Sequence, residues 1–293
     1  MDGVMVGRVR NFNRAVTERI GALGETYLGR GRPLGETRLL WEIGADGAEV
    51  RDLRRRLGID AGYASRLLRS LEAQRLVAVE ASGTDRRVRR ARLTADGLAE
   101  CAELDRLSDR LVLSMLEPLD EHQRARLVAA MDEVERLMRA SMITIVVADP
   151  ASADARWCIQ QYFEELSNRF DTGFDPALSI PANADDLNPP TGLLLVAHLR
   201  EQPVGCGALK YHAGAPAELK RMWVAPEVRG MGLGRRLLRE LEHHAASAGA
   251  TVVRLETNRA LAEAIKLYRR AGYQEVDPFN DEPYAHHWFE KRV

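Results

Sequence analysis

The sequence predicts two domains, a mainly α winged helix-turn-helix and then an α/β domain built on a mixed sheet. Three observations carry that expectation. Residues 49–75 read as two short helices joined by a three-residue turn, the second with a polar and basic outer face. An arginine-rich hairpin follows it. Further on, Arg229-Gly230-Met231-Gly232-Leu233-Gly234 sets three glycines at alternate positions between an apolar strand-like run, Leu219 to Val224, and a helical run.

The first half builds in order. Val9, Phe12, Val16, Ile20 and Leu23, at spacings of three and four, predict a helix from Val4 to Tyr27. Gly29 to Pro33 breaks it, and Thr37 to Ile43 forms a short helix stopped at Gly44. Glu49 to Leu57 is the next helix, ended by Gly58. Asp60 then caps a helix from Ala61 to Arg75. Its apolar stripe is Ala64, Leu67, Leu68 and Leu71, and its outer face shows Tyr63, Ser65, Arg66, Arg69 and Ser70. Val77 to Glu80 is strand-like, Ala81 to Asp85 turns, and Arg86 to Arg90 leads back into Ala91-Arg92-Leu93, a hairpin wing with an arginine-rich tip. Two longer helices follow, Thr94 to about Asp120 and Glu121 to Met138.

Net charge is −1, which gives no general attraction to nucleic acid, but the average hides a block. From Arg51 to Arg92 there are 12 arginines against 5 acids. The order of elements, with Asp85-Arg86-Arg87 before Leu93-Thr94, resembles the MarR family of winged-helix transcription regulators over residues 4–140. The resemblance implies a recognition helix in the major groove, a wing at the minor groove, and a homodimer made by the terminal helices. Tyr63, Ser65, Arg66, Arg69, Arg86, Arg87 and Arg89 are the expected contacts to double-stranded DNA.

No Gly/Ser or Pro-rich linker separates the halves. Strand-like Ile143 to Val147 follows the last helix almost at once, so the expected domains are 1–141 and 142–293, with little slack between them. The second half then reads as a helix (Ala151 to Arg169), a long irregular stretch (Asp171 to Pro190) and three consecutive strands (Leu193 to Leu199, Val204 to His212, Glu218 to Val224). After these come the glycine stretch with its helix, a strand (Thr251 to Glu256), a helix (Leu261 to Ala271), and final strands at Tyr273 to Val276 and His286 to Lys291.

Glycine lets backbone press against a ligand, and a helix start presents free N–H groups and a positive dipole end, which together suit a phosphate. A dinucleotide loop needs a third glycine where Arg235 stands, and a Walker loop needs Gly-Lys-Ser/Thr, which is absent. What remains, Arg229 with Gly232 and Gly234, resembles the pyrophosphate loop of the GNAT N-acetyltransferase superfamily. The match extends over about residues 143–293, through Met222-Trp223-Val224, Asn258, and Ala264-Ile265 with Leu267-Tyr268 and Gly272-Tyr273.

That resemblance implies acetyl-CoA, held by Met222 to Val224, Arg229 to Arg235 and Asn258, and an amine acceptor. Val224's neighbourhood would polarise the thioester carbonyl through backbone N–H groups. Tyr268, on the inward face of its helix, is the candidate acid and cofactor contact. Glu218 is the candidate base, with His212 and Glu256 as alternatives. The acceptor groove falls to 151–190 and 277–285, where Asp171, Asp175, Asp185 and Asp186 offer negative charge to a small amine or a protein lysine.

Cys101, Cys158 and Cys206 are odd in number and far apart, which suggests neither a disulfide framework nor a metal site. No apolar run approaches the ~18 residues of a membrane span, and no signal peptide is visible, so a cytoplasmic protein is expected. The leading expectation is a bifunctional regulator and acetyltransferase. The alternatives are a regulator whose second domain only senses acetyl-CoA, and an enzyme whose first domain only dimerises.

Overall fold

The computed structural model describes residues 2–24, 26–81, 88–212 and 214–293. The chain divides into two compact units, Met1–Ala129 and Ala130–Val293.

In the first unit, α1 (Gly3–Arg19) starts at Asp2, whose side chain accepts from Val4 N. It stops earlier than its periodicity predicts, because Gly21 takes a left-handed φ of 70°. Then come α2 (Leu34–Ile43), β1 (Ala48–Glu49), α3 (Val50–Leu57) and α4 (Ala61–Ala73). Gly58 closes α3 in the left-handed region, and Asp60 Oδ1 accepts from Tyr63 N at 2.9 Å to open α4. Strands β2 (Val77–Ala81) and β3 (Arg89–Leu93) form the wing, and β1 extends it on the other side of β3. Sequence periodicity misses β1 because two residues carry no period.

Leu39, Leu40, Leu53, Leu68, Leu71 and Leu104 close the core of this unit. Long α5 (Ala95–Leu116) begins at Thr94, whose Oγ1 accepts from Gly97 N at 3.0 Å and donates to Arg75 O at 2.6 Å. That hydroxyl ties the helix start to the turn that follows α4. It gives a physical reason for the Leu93-Thr94 pair. Next is α6 (Glu121–Ser141), in which no residue is buried; the division between units falls within it.

The second unit is built on a seven-stranded sheet, ordered β4-β5-β6-β7-β8-β10-β9. Its strands are β4 (Ile143–Ala148), β5 (Gly192–Leu199), β6 (Gln202–Lys210), β7 (Ala217–Val224), β8 (Val252–Thr257), β9 (Gln274–Val276) and β10 (His287–Arg292). Only β7 and β8 run parallel, and the crossover between them is α8 (Leu233–Ser247). Helix α7 (Ala153–Arg169) joins β4 to the irregular stretch before β5, and α9 (Ala262–Arg270) joins β8 to β9.

Strand β6 shows how both faces are packed. Side chains at Gly205 and Gly207 would strike Leu233, Leu237 and Leu241, so α8 lies close on that face. Cys206 alternates with them and meets α7 on the other face, where Cys158 Sγ is 3.7 Å from Gly205 O. The hydrogen bond with Cys158, and burial after it, push the Cys206 thiol up, and both cysteines are fully buried small core residues.

Candidate functional site

The site follows from how β7 is used. It pairs with β8 only at Ala217↔Val253 and Glu218↔Arg254. Beyond Glu218 the strands part, leaving the β8 side of β7 without a strand partner. A wide cleft of about 630 Å³ lies against this stretch, lined by Met222, Trp223 and Val224 and by the start of α8.

Gly230 and Gly232 hold φ of 77° and 80°, in the left-handed region that a Cβ disfavours, and so turn the chain into α8. Gly232 is the N-cap and no side chain caps the helix. Its first-turn amides are therefore available to a ligand, with the positive dipole end behind them. Gly232, Leu233, Gly234 and Arg235 line the cleft beside them. Met231 instead packs toward the core and does not line it.

Side chains around the loop are braced. Arg229 donates from Nε to Val224 O at 3.0 Å and pairs through Nη2 with Glu165. Glu165 also accepts from Trp223 Nε1 at 2.9 Å, so the Trp223 indole is held in place and only its backbone is left for a ligand. Arg136 of α6 donates to Gly230 O at 3.2 Å. Lys266 and Arg270 add positive charge to the wall. Glu165, Lys266 and Arg270 carry no sequence signal, since each sits where an amphipathic helix shows ordinary charged residues. The residues present fit a diphosphate-bearing coenzyme, with main-chain donors at one end and cations along the walls.

A smaller cleft of about 80 Å³ adjoins the first, and Tyr162, Leu166, Met222, Leu261 and Ala264 line both. Tyr268 lines only the smaller one. It is buried, against Tyr273 and Phe289, and its burial raises the phenol well above the ordinary tyrosine value. Burial likewise pushes the Tyr162 phenol up to about 12. Both keep the hydroxyl proton at neutral pH. Asn258 also lines the smaller cleft, not the wide one, and its side chain is taken up: Nδ2 donates to Tyr284 O at 2.7 Å and Oδ1 accepts from Ala260 N at 2.9 Å. It shapes the loop rather than facing the wide cleft.

Glu218 is the expected base. It lines neither cleft. Burial pushes its carboxyl up, but Lys220 and the hydrogen-bonded Arg254 outweigh burial and hold it below the usual carboxylate range. A carboxylate so held is a poor proton acceptor. Glu256, at the end of β8, does line the smaller cleft, where Lys220 Nζ pairs with Oε1 and Asn280 Nδ2 lies 3.4 Å from Oε2. His212 is 3.4 Å from Glu218 and away from both clefts.

The irregular stretch forms the outer wall. Glu282 Oε2 accepts from Ser179 Oγ at 2.9 Å and from Ile180 N at 2.7 Å, and Tyr284 Oη accepts from Asp175 N at 3.0 Å. These bonds join the two loops that the sequence assigned to the acceptor. None of the four aspartates lines either cleft. Asp171 pairs with Arg259, Asp175 caps Ala177 N, and Asp186 caps Asn183 N and pairs with Lys210.

In the first unit, Tyr63, Arg66 and Arg69 are exposed on α4, with the Arg66 guanidinium 5.5 Å from the Tyr63 ring centre. Ser65 is half-buried, and its carbonyl accepts from Arg69 Nε at 3.2 Å. Arg89 is exposed on β3, whereas neighbouring Arg90 is tied to the carbonyls of Asp46 and Gly47. Asp85, Arg86 and Arg87 lie outside the described residues. Among the described residues, no helix is long and apolar enough to cross a membrane.

Known protein families match both halves of the chain. A model of the acetyltransferase (GNAT) domain matches residues 190–275, and a MarR family model matches residues 30–88. The chain is 35% identical over 128 residues to an IAA acetyltransferase of Azospirillum brasilense, spanning 43% of this chain and 82% of that one. It is 31% identical over 136 residues to an uncharacterized N-acetyltransferase of Schizosaccharomyces pombe, spanning 44% and 80%. A GNAT family acetyltransferase from Elizabethkingia anophelis, solved with acetyl-CoA bound, superposes with a TM-score of 0.38 at 17% identity over 52% of this chain and 99% of that one.

Proposed function

This chain belongs to the GNAT acetyltransferase family, with a MarR-family winged helix ahead of that domain, and on that premise we propose one bifunctional protein that binds promoter DNA and acetylates an amine. The second half is an acetyl-CoA-dependent acetyltransferase. In this reading residues 1–141 bind DNA and dimerise, and residues 142–293 carry the chemistry.

One observation carries the enzymatic reading: β7 parts from β8 after Glu218, beside the uncapped start of α8. Met222 to Val224, Arg229, Gly230, Gly232 to Arg235, Lys266 and Arg270 would hold the coenzyme, which supplies an acetyl group as a thioester. An ammonium has no lone pair to attack with, so the acceptor must first lose a proton. Glu256 at the smaller cleft takes it in place of Glu218. As the new C–N bond forms and the C–S bond breaks, Tyr268 gives a proton to the departing sulfur, and the second proton shed by the attacking nitrogen returns through solvent to the phenolate. The name of the Azospirillum relative and the open smaller cleft both favour a small-molecule acceptor over a folded protein.

The DNA reading rests on the exposed Tyr63, Arg66 and Arg69 of α4 and on Arg89 of the wing. Dimerisation rests on helices with uncovered apolar residues: Val4, Met5, Val9 and Phe12 on α1, and Val112 and Leu113 on α5. A second copy covering them is the expected solution state.

The test has two arms. Coenzyme A release is followed over a panel of amines, and a shift assay is run on the DNA upstream of the protein's own coding sequence. Both positive is the expected result. Acetyl-CoA binding without release from any amine would leave a sensor, and release without any DNA shift would leave an enzyme.

A further inference from the structure

Strand β7 is irregular at Arg221. Its φ of 54° is left-handed, a region that a residue with a Cβ rarely adopts, and the register against β6 shifts there between Cys206 and Ala208. Such a bulge re-aims a side chain, and strained backbone of this kind persists where the surrounding fold enforces it. Here it carries the guanidinium over the Phe163 ring, 4.6 Å from its centre and 5.8 Å from that of Tyr162, in the wall of the smaller cleft.

Four charged residues line that cleft: Lys220, Arg221, Glu256 and Glu282. Three have partners. Lys220 and Glu256 pair with each other, and Glu282 accepts from Ser179 and Ile180. The Arg221 guanidinium has no ion pair or hydrogen bond among the described residues. A stacked guanidinium keeps its planar fork oriented, and that fork fits a carboxylate through two parallel bonds.

Charge balance points the same way. The lining carries two cations and two carboxylates, and three of the four are already engaged. An ammonium alone would add charge next to a cation without a counterion. An amine that brings its own carboxylate adds none.

We propose that Arg221 binds an anionic group of the acetyl acceptor, and that the acceptor is a small primary amine carrying a carboxylate. Its nitrogen lies toward Glu256 and its carboxylate meets Arg221. This inference rests on the acetyltransferase reading and extends it to the class of acceptor.

Matched pairs of amino acids and their amides, β-alanine and β-alaninamide among them, separate the two claims. Coenzyme A release should favour each acid over its amide by about tenfold to a hundredfold in kcat/KM, the range of a charge-assisted bond. Arg221→Gln should erase that preference by raising KM for the acid while leaving the amide unchanged. Arg221→Lys should restore part of it. Arg221→Gly is the folding control: glycine accepts this φ, so the variant should melt no lower than the parent and still lose the preference.

Equal use of acid and amide by the parent overturns the proposal but leaves an acetyltransferase, as does an unchanged ratio in Arg221→Gln. No release from any member of the panel overturns both.

Discussion

Glu218 Oε1 accepts from both Nε and Nη2 of Arg254, at 3.1 and 2.6 Å, a fork that engages the carboxylate which the proposed mechanism replaces with Glu256. The pair spans the last rung at which β7 and β8 are joined, so it fixes the point where the strands part.

Glu218→Gln should therefore lower stability by about 3 kcal/mol, the usual cost of stripping a buried ion pair of one partner, with kcat within a few-fold of the parent. Glu256→Gln also strips buried Lys220 of a partner and should cost stability by a similar amount, but unlike Glu218→Gln it should lose about a hundredfold or more in kcat, the contribution of a general base. Steady-state kinetics beside thermal unfolding of both variants checks the assignment. A kcat loss in Glu218→Gln without destabilisation would reverse it.

Tyr268 and its burial lead to a prediction about pH. A phenol raised well above its ordinary value keeps its proton across the alkaline range, so Tyr268 contributes no falling limb to the rate below about pH 10. Tyr268→Phe should cut kcat by about a hundredfold with acetyl-CoA affinity little changed. Single-turnover rates and calorimetric titration separate the two effects. An unchanged rate would make Tyr268 a packing residue against Tyr273 and Phe289.

Elements with a strong period were legible in the sequence, and so was the glycine turn into α8, because three glycines at alternate positions have few other uses. The strand β7 was legible too, but its bulge at Arg221 was not: nothing in Lys220-Arg221-Met222 announces a left-handed φ. The partners of Glu218 were hidden for a related reason. A strand-end glutamate shows its position along the chain, but its partner, Arg254, lies on a strand brought beside it only by the crossover through α8. The four loop aspartates look in sequence like an acceptor lining, yet a capping aspartate and a substrate-facing one have the same local composition.

Glu100 gives the first unit an acid-sensitive lock. The hydrogen bond from Arg30, with Arg32 adding to it against the cost of burial, holds its carboxyl below the usual glutamate range. Arg30 donates from Nε at 2.9 Å and Arg32 pairs through Nη1. A depressed carboxyl contributes stability that is present above its unfolded value, near 4.3, and is lost as pH falls through the folded one. Urea melts of the parent should weaken progressively below about pH 5. Glu100→Gln should be less stable at pH 7, by about 3 kcal/mol, with a flatter acid profile. Parallel profiles for the two proteins would assign the acid loss to other carboxylates.

The DNA face yields a prediction in which neighbouring arginines behave differently. Arg66 and Arg69 project from the exposed side of α4, where a bidentate arginine-to-guanine contact is worth about 1–3 kcal/mol of discrimination. Arg66→Ala should narrow the gap between operator and unrelated DNA by that amount. Arg89 lies exposed on the wing, where the expected contact is a phosphate. Arg89→Ala should weaken both DNAs alike and reduce the salt slope by about one. Arg90, one residue on, spends its guanidinium on the carbonyls of Asp46 and Gly47. Arg90→Ala should therefore loosen the β1–β3 edge and lower the melting temperature, leaving the salt slope of the folded protein unchanged. Titrations at several salt concentrations read all three. If Arg89→Ala and Arg90→Ala shift the slope equally, the wing contacts DNA through a different set of side chains.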